Sequence, residues 1–119
     1  MGISPDGITS DNKIACEIKC FGRKKHTEVL LSDEIPSDNI HQLIHYFTVN
    51  EELEKLYFIA FRPESTKHFI KEIDRNTEFN IGTKAKPVMK SISELTVIAI
   101  QEADKLLDQI NKSVTQLNF

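Results

Sequence analysis

The sequence has few cysteines, and this shortage excludes two kinds of cross-linked protein. Its 119 residues include two cysteines, Cys16 and Cys20, which lie on one predicted strand. At ~3.3 Å per residue their Cα atoms would be ~13 Å apart, which is beyond the reach of a disulfide. Two cysteines alone also give too few ligands for a zinc or iron–sulfur site. We therefore expect both thiols to be reduced and packed.

The chain also lacks the features of a membrane protein or a secreted protein. No apolar run approaches the ~20 residues of a membrane span, and the N-terminus has neither the basic nor the apolar region of a signal peptide. We therefore expect a cytoplasmic protein. The formal net charge of −3 is not the strongly basic balance of a general nucleic-acid-binding protein. The length and the 39% apolar content predict one globular domain over residues 1–119.

A turn and a strand near the N-terminus contain the most informative polar residues. Asp6 lies in a Pro-Asp-Gly turn, and Glu17 and Lys19 lie in a predicted strand from Lys13 to Cys20. Residues i and i+2 of a strand share a face, so Glu17 and Lys19 emerge together. A tight hairpin closed at Asp11-Asn12 would return Asp6 to the side of Glu17.

This trio of charged side chains has two interpretations. Two carboxylates held close together repel one another, and a divalent cation between them allows both to stay ionised. A neighbouring lysine then stabilises the charge that develops on a phosphate, or helps to deprotonate a water. Asp6, Glu17 and Lys19 could therefore form a metal-dependent phosphodiesterase centre. The alternative is that Glu17 and Lys19 belong to a solvated sheet face with cross-strand ion pairs.

Three short motifs resemble a known nuclease superfamily. Ser4-Pro5-Asp6-Gly7 followed by Glu17-Ile18-Lys19-Cys20 resembles the signature of the PD-(D/E)XK superfamily, in particular the YqaJ-type viral recombinases related to the phage λ exonuclease. Ile35-Pro36 leading into Gln42-Leu43-Ile44-His45-Tyr46 is similar to the Gln-x-x-x-Tyr motif of the RecB-like branch. The motifs occur in the order and at about the spacing of that family. The resemblance covers Gly2 to about Asp74.

The resemblance implies a fold, an activity and partners. The fold would be α/β, with a restriction-endonuclease-like core in which helices flank a mixed central β-sheet. The activity would be phosphodiester hydrolysis by a Mg²⁺-dependent DNA exonuclease of phage recombination type, with Mn²⁺ able to substitute. The implied origin is a phage or prophage in a bacterial host. The implied partners are DNA, further copies of the chain and a single-strand annealing protein.

The resemblance also implies roles for individual residues. The catalytic set would consist of Asp6, Glu17, Lys19, Gln42 and Tyr46. The metal ligands would be Asp6, Glu17 and the Ile18 carbonyl, with Lys19 acting on the attacking water or the phosphate. Gln42 would hydrogen-bond the phosphate or the metal-bound water, and Tyr46 would touch the nucleotide. Judged from the residues alone, the favoured interpretation is that Gln42 is a surface residue and Tyr46 an aromatic at the core edge.

The segment before the turn departs from the family. Relatives have N-terminal helices there, with a further acidic ligand and basic residues that hold the DNA end, whereas Met1 lies only five residues before Asp6. We expect either a fragment lacking the N-terminal helical part or a short form completed by another polypeptide. Metal binding would be weaker in both cases, and the isolated chain could be inactive. The alternative functions are a non-catalytic DNA-binding or assembly module and a restriction-type endonuclease.

Basic residues and histidines add two weaker signals. Arg23, Lys24 and Lys25 follow the strand of Glu17, in the densest basic cluster, and form either a DNA-backbone contact or a solvated turn. His41 and His45 are four residues apart. Because no third ligand has a suitable spacing, we interpret both as surface histidines.

The remaining pattern predicts the other elements. Thr27–Leu31 is expected to be a short edge strand or loop, and Thr77–Pro87 an irregular and mobile segment. The regular elements are a helix over Asp38–Val49 capped by Ser37, a strand over Leu56–Phe61 buried on both faces, a strand over His68–Asp74, and a helix from Ser91 with a capping box to Glu94.

The last helix has a long apolar stripe. It consists of Leu95, Ala99, Ala103, Leu106, Ile110, Val114 and Leu117. The stripe extends beyond what a small domain needs, so we expect the turns from Asp108 onward to meet a partner chain, consistent with a homo-oligomer.

Overall fold

The protein has a mixed α/β architecture with a long C-terminal helix. The computed structural model describes residues 5–117, with side chains described for residues 5–113. A four-stranded sheet, a separate two-stranded hairpin and three helices make up this part of the chain. The elements are β1 (Gly7–Ile8), β2 (Ile14–Lys19), α1 (Arg23–Ser32), α2 (Ser37–Val49), β3 (Lys55–Ala60), β4 (Phe69–Asp74), β5 (Glu78–Asn80), β6 (Met89–Ser91) and α3 (Ile92–Leu117).

The larger sheet is mixed, as the resemblance implies. Its strand order is β1-β2-β3-β4, with β1 antiparallel to β2, β2 parallel to β3 and β3 antiparallel to β4. A parallel pair needs a long crossover between its strands, and α1 with α2 supplies it here. None of the helices, within the part of the chain that is described, has the length and apolar character needed to cross a bilayer.

One face of this sheet forms the hydrophobic core. Strand residues on that face are packed with buried residues of α1 and α2 in one cluster: Ala15, Val29, Leu43, Tyr46, Phe47, Leu56, Phe58, Ala60, Phe69 and Ile73. The opposite face is only partly covered, because the crossover helices lie on one side. Ile18, Ile59 and Ile70 pair directly across three strands on that face, and Ile70 is 64% exposed. The prediction that β3 is buried on both faces is therefore wrong.

The segment after β2 forms a helix, so the predictions of an edge strand or loop at Thr27–Leu31 and of a basic turn before it are wrong. Helix α1 starts after Gly22, whose extended backbone (φ −62°, ψ 163°) turns the chain out of the strand. It ends at Asp33 in the left-handed conformation (φ 56°). The contacts that hold α1 are long-range, since buried His26 bonds the Lys67 carbonyl at 3.0 Å. The apolar run Val29-Leu30-Leu31 near its C-terminal end led to the prediction of a strand or loop.

Helix α2 has the predicted range but not the predicted cap. Pro36 occupies the N-cap position and Ser37 is the first helical residue. At the other end, the Arg75 guanidinium donates to the Phe47 and Asn50 carbonyls at 3.2 Å and 3.0 Å, and lies over the Phe47 ring. A cation at a helix C-terminus compensates the partial negative charge of the unpaired carbonyls. Arg75 directly follows β4 in the chain, so its hydrogen bonds fix the end of α2 to the end of β4.

Part of the segment predicted to be irregular, Glu78–Asn80, is the first strand of a hairpin, whereas residues 81–87 lie in its irregular loop, as predicted. Strands β5 and β6 pair antiparallel from Glu78↔Ser91 to Asn80↔Met89. The side-chain Oδ1 of Asn80 accepts from the Gly82 and Val88 backbone amides, both at 2.9 Å. Local propensity missed the hairpin because its strands are only three residues long.

Helix α3 starts as predicted and then extends away from the core. The Ser91 amide donates to the Glu94 carboxylate at 3.3 Å, and the Glu94 amide donates to the Ser91 hydroxyl at 3.2 Å, which confirms the capping box. The first turns pack against α2. From Val97 onward most described side chains are exposed. The side chains of Val114 and Leu117 lie outside the described part.

Candidate metal and phosphate site

The N-terminal hairpin brings Asp6 next to Glu17, as predicted. Gly7 pairs with Cys16 and Ile8 with Ala15, so the next position of the same register places Asp6 opposite Glu17. The turn is closed by Asn12, which adopts a left-handed conformation (φ 63°). Cross-strand neighbours of an antiparallel pair share a face and lie about 5 Å apart at Cβ. The turn chemistry therefore positions one carboxyl group against the other.

Asp6 is held by the free edge of β2. Strand β1 is two residues long, so it ends before it reaches Ile18. The Ile18 amide instead donates to Asp6 Oδ2 at 2.7 Å. Since the N–H and C=O of one strand residue point to the same neighbouring strand, the Ile18 carbonyl lies on this edge as well. The next carbonyl, that of Lys19, points the other way and accepts from Phe61 of the β3 side at 2.8 Å.

Glu17 is a buried acid on the core face of β2. It is 4% exposed and pairs across the sheet with Phe58, which is fully buried. A buried carboxyl group needs hydrogen-bond donors. Tyr46, itself 3% exposed, supplies one, since its hydroxyl donates to Glu17 Oε2. Gln42 Nε2 in turn donates to the Tyr46 hydroxyl at 3.1 Å.

This chain of contacts revises the prediction for Tyr46. The predicted helix pair Gln42 and Tyr46 does face the acidic residues, but Tyr46 contacts the Glu17 carboxylate and is almost fully shielded from solvent. A glutamate on the core face of a strand needs a hydrogen-bond donor. This need is the sequence signal that could have identified the contact with Tyr46. Gln42 is half-buried and lies nearer the surface.

Lys19 lies on the same face of β2 as Glu17. Its Nζ is 3.9 Å from Glu17 Oε1, and its side chain is 29% exposed. The ammonium is therefore near the carboxyl group and also accessible to a ligand. The alternative interpretation, in which Glu17 belongs to a solvated sheet face, is wrong, because α2 covers that end of the strand.

The two carboxyl groups have opposite proton affinities. The Ile18 amide and a hydrogen bond from Glu17 lower the pKa of Asp6, with a further contribution from Lys19. Burial raises the pKa of Glu17, and the adjacent Asp6 raises it further. Burial and the Glu17 carboxylate together raise the pKa of Tyr46. When the pair holds one proton, that proton resides on Glu17.

The oxygen donors at this edge suit a hard divalent cation. Asp6 lies opposite Glu17 at one end of β2, and the Ile18 carbonyl lies on the same edge of the strand. Tyr46 contacts Glu17 Oε2, whereas Glu17 Oε1 is the oxygen nearer to Lys19. Within the described residues, no cluster of three or more His, Cys, Asp or Glu side chains is placed to bind a metal. Mg²⁺ is commonly bound through one or two carboxylates and retains several waters, so two carboxylates are a sufficient protein contribution.

The remaining predicted residues lie apart from this edge. Arg23, Lys24 and Lys25 form the exposed first turn of α1, directly after the loop that follows β2. The next residue of the helix, His26, is 2% exposed. His41 is exposed and His45 half-buried, and Ser4 of the first motif lies outside the described residues. Both cysteines are free thiols, as predicted, but Cys16 is half-buried and Cys20 is exposed, so the prediction that both are packed is wrong for Cys20.

Comparison of this chain with family models, with curated proteins and with solved structures finds no match.

Proposed function

We propose that the protein is the core of a Mg²⁺-dependent deoxyribonuclease of the phage exonuclease type. The observation that supports this most directly is the meeting of Asp6 and Glu17 at one end of β2, with Lys19 3.9 Å from Glu17. Such a group of two acids and one amine matches what phosphodiester hydrolysis needs at a metal centre.

The proposed roles follow from the contacts of each side chain. Asp6, Glu17 and the Ile18 carbonyl hold the cation, which supplies Lewis-acid stabilisation and an acidified water when bound. Lys19 is 29% exposed and contributes positive charge to the phosphate. Gln42 and Tyr46 orient the Glu17 carboxylate through a hydrogen-bonded chain. The exposed Arg23, Lys24 and Lys25 contact the DNA backbone.

A second acid–amine pair on the same sheet provides an internal comparison. Glu72 accepts from Lys55 at 3.0 Å, but the Glu72 and Lys55 side chains are about half exposed. The pair lies on the opposite sheet face. Within the described residues, no helix side chain donates a hydrogen bond to Glu72 in the way that Tyr46 donates to Glu17. Burial and convergence of two acids, rather than a Glu-Lys pair alone, therefore distinguish the proposed site.

Calorimetric titration with Mg²⁺ and Mn²⁺ tests the proposal without requiring the isolated chain to be active. We expect binding by the wild-type chain, loss of binding in Asp6→Asn and Glu17→Gln, and unchanged binding in the matched control Glu72→Gln. Absence of binding by the wild-type chain, or unchanged binding in Asp6→Asn, would favour a non-catalytic binding or assembly module.

Digestion assays then test the type of nuclease. With Mg²⁺ and linear duplex DNA, the proposal predicts shortening from ends that is lost in Lys19→Ala and kept in Lys55→Ala. Cutting of closed circular DNA would favour a restriction-type endonuclease, and retention of digestion by Lys19→Ala would contradict the assigned role of that residue.

A further inference from the structure

Helix α3 has an apolar stripe that is covered at one end and exposed at the other. Ile92, Leu95 and Thr96 are buried against the domain, and Leu95 is 7% exposed. At about 100° per residue, Leu106 and Ile110 lie on the same side of the helix as Ile92. They are nevertheless 58% and 50% exposed. The stripe therefore continues past the point where its own domain can cover it.

The exposed part of α3 is long. The helix has 26 residues, which corresponds to about 39 Å. The Cα radius of gyration is 17.3 Å, whereas a compact chain of this length is expected at about 13.5 Å. A helix of this kind normally gains its stability from packing of its apolar face, which here needs a second surface.

The order of side chains along the stripe matches a second copy of the same helix running antiparallel. Along the exposed part of the stripe, two small residues, Ala99 and Ala103, are followed by two large ones, Leu106 and Ile110. In an antiparallel pair centred between Asp104 and Lys105, Ala103 of each copy faces Leu106 of the other. Ala99 then faces Ile110, so each small side chain lies opposite a large one.

The residues that flank the stripe fit the same arrangement. Ile100 of one copy comes beside Leu107 of the other on one flank, and these side chains are 47% and 56% exposed in the single chain. On the other flank, Glu102 comes beside Gln109, whose amide can donate to the carboxylate. The pairing is thus apolar on one flank and polar on the other. Because the dimer has two-fold symmetry, each of these contacts occurs twice.

A parallel pair fits less well. It would stack alanine on alanine and leucine on leucine, leaving gaps beside bulges, and would place Glu102 next to Leu107. It would also bring both domains to the same end of the pair, where Leu95 and Thr96 are already covered by their own domain.

We propose that the exposed half of α3, from Ala99 to Ile110, is the interface of an antiparallel homodimer. This inference is independent of the proposed nuclease activity. It assigns the interface to side chains that start before Asp108, where the sequence alone places the partner contact.

Sedimentation equilibrium of the full chain tests the interface. The wild type is expected to form dimers in a concentration-dependent manner, and Leu106→Asp to weaken association at least tenfold. Two control variants remove equally exposed apolar residues elsewhere. Val97→Asp lies on the opposite side of α3 and Ile70→Asp on the open sheet face, where the side chains are 53% and 64% exposed, and both are expected to dimerise as the wild type does.

Cysteine cross-linking in a Cys16→Ser, Cys20→Ser background tests the orientation. A mixture of Ala99→Cys chains and Ile110→Cys chains is expected to yield a disulfide-linked heterodimer, while Ala99→Cys alone yields no cross-link. A wild type that stays monomeric, dissociation caused by Ile70→Asp or Val97→Asp and not by Leu106→Asp, or efficient cross-linking of Ala99→Cys alone would overturn the proposal.

Discussion

At the scale of residues, the buried Glu17 is the feature on which the site depends. Its pKa is raised from an ordinary 4.5, chiefly by burial, so the folded state binds the Glu17 proton more tightly than the unfolded state does. A raised carboxyl pKa contributes stability that is fully present below the unfolded value and is lost as the pH rises through the folded value. At neutral pH without metal, an ionised Glu17 therefore destabilises the fold.

Glu17→Gln should consequently stabilise the metal-free protein at neutral pH. The amide oxygen still accepts from Tyr46, while the buried charge is removed, so we expect a gain on the order of 1 kcal/mol at pH 7.5. The gain should shrink as the pH is lowered towards 4.5, the ordinary glutamate value. Thermal unfolding in a chelator across this pH range measures it, and a variant that is less stable than the wild type at pH 7.5 would show that Glu17 is not strained by burial.

Tyr46→Phe should have the opposite effect. It removes the hydroxyl that donates to Glu17, which leaves a buried carboxyl group without that partner, at a cost of about 1–3 kcal/mol. Urea unfolding at pH 7.5 measures the loss. The control is Tyr57→Phe, whose exposed hydroxyl lies 3.5 Å from Glu72 and whose loss should cost less than about 0.5 kcal/mol. Equal effects of the two substitutions would argue against a structural role for the Tyr46 contact.

At the scale of elements, the sequence predicted those parts of the fold that have local signals. The Asp11-Asn12 turn, the alternation of β4 and the capping box of Ser91 and Glu94 each depend on neighbouring residues, and each is present. The register that places Asp6 opposite Glu17 follows from the turn alone.

Elements held by distant contacts escaped prediction. Helix α1 depends on His26 and Val29 packing against parts of the chain that come later, and its own apolar pattern is weak. Arg75 escaped for the same reason, because the carbonyls that it binds lie 22 to 28 residues earlier. Tyr46 was named as a candidate site residue from its motif, but its burial depends on packing between α2 and β2 that no local pattern encodes.

Arg75→Ala should loosen helix α2 and hence the site. The guanidinium donates to the Leu53 carbonyl at 2.9 Å and to the Asn50 carbonyl at 3.0 Å, among others. Losing several charge-assisted hydrogen bonds at a helix C-terminus should cost about 2–4 kcal/mol. Chemical denaturation measures this, with Arg23→Ala on the exposed start of α1 expected to change stability by less than about 0.5 kcal/mol. If both arginines prove equally dispensable, α2 is held by its apolar face alone.

At the scale of the whole molecule, the proposed cation binding would be coupled to proton release and to stability. A cation bound between Asp6 and Glu17 would displace the proton that Glu17 retains, so affinity for Mg²⁺ should increase as the pH rises through the elevated Glu17 pKa. Titration calorimetry in two buffers of different ionisation enthalpy should detect this proton release. Proton release that is absent at every pH would indicate a cation bound away from Glu17.

The stability of the whole chain should respond in the same way. Millimolar Mg²⁺ should raise the unfolding temperature of the wild type and leave that of Glu17→Gln unchanged, because only the wild type keeps both acids. A Mg²⁺-dependent increase of the same size in both proteins would contradict the assignment.

The most direct measurement is anomalous diffraction from a crystal soaked in Mn²⁺. We expect one anomalous peak within coordination distance of an Asp6 carboxylate oxygen, a Glu17 carboxylate oxygen and the Ile18 carbonyl oxygen, and none in crystals of Asp6→Asn. The crystal must leave this edge of β2 open to solvent. A peak elsewhere, or no peak at millimolar Mn²⁺, would then contradict the proposal that these groups form a metal centre.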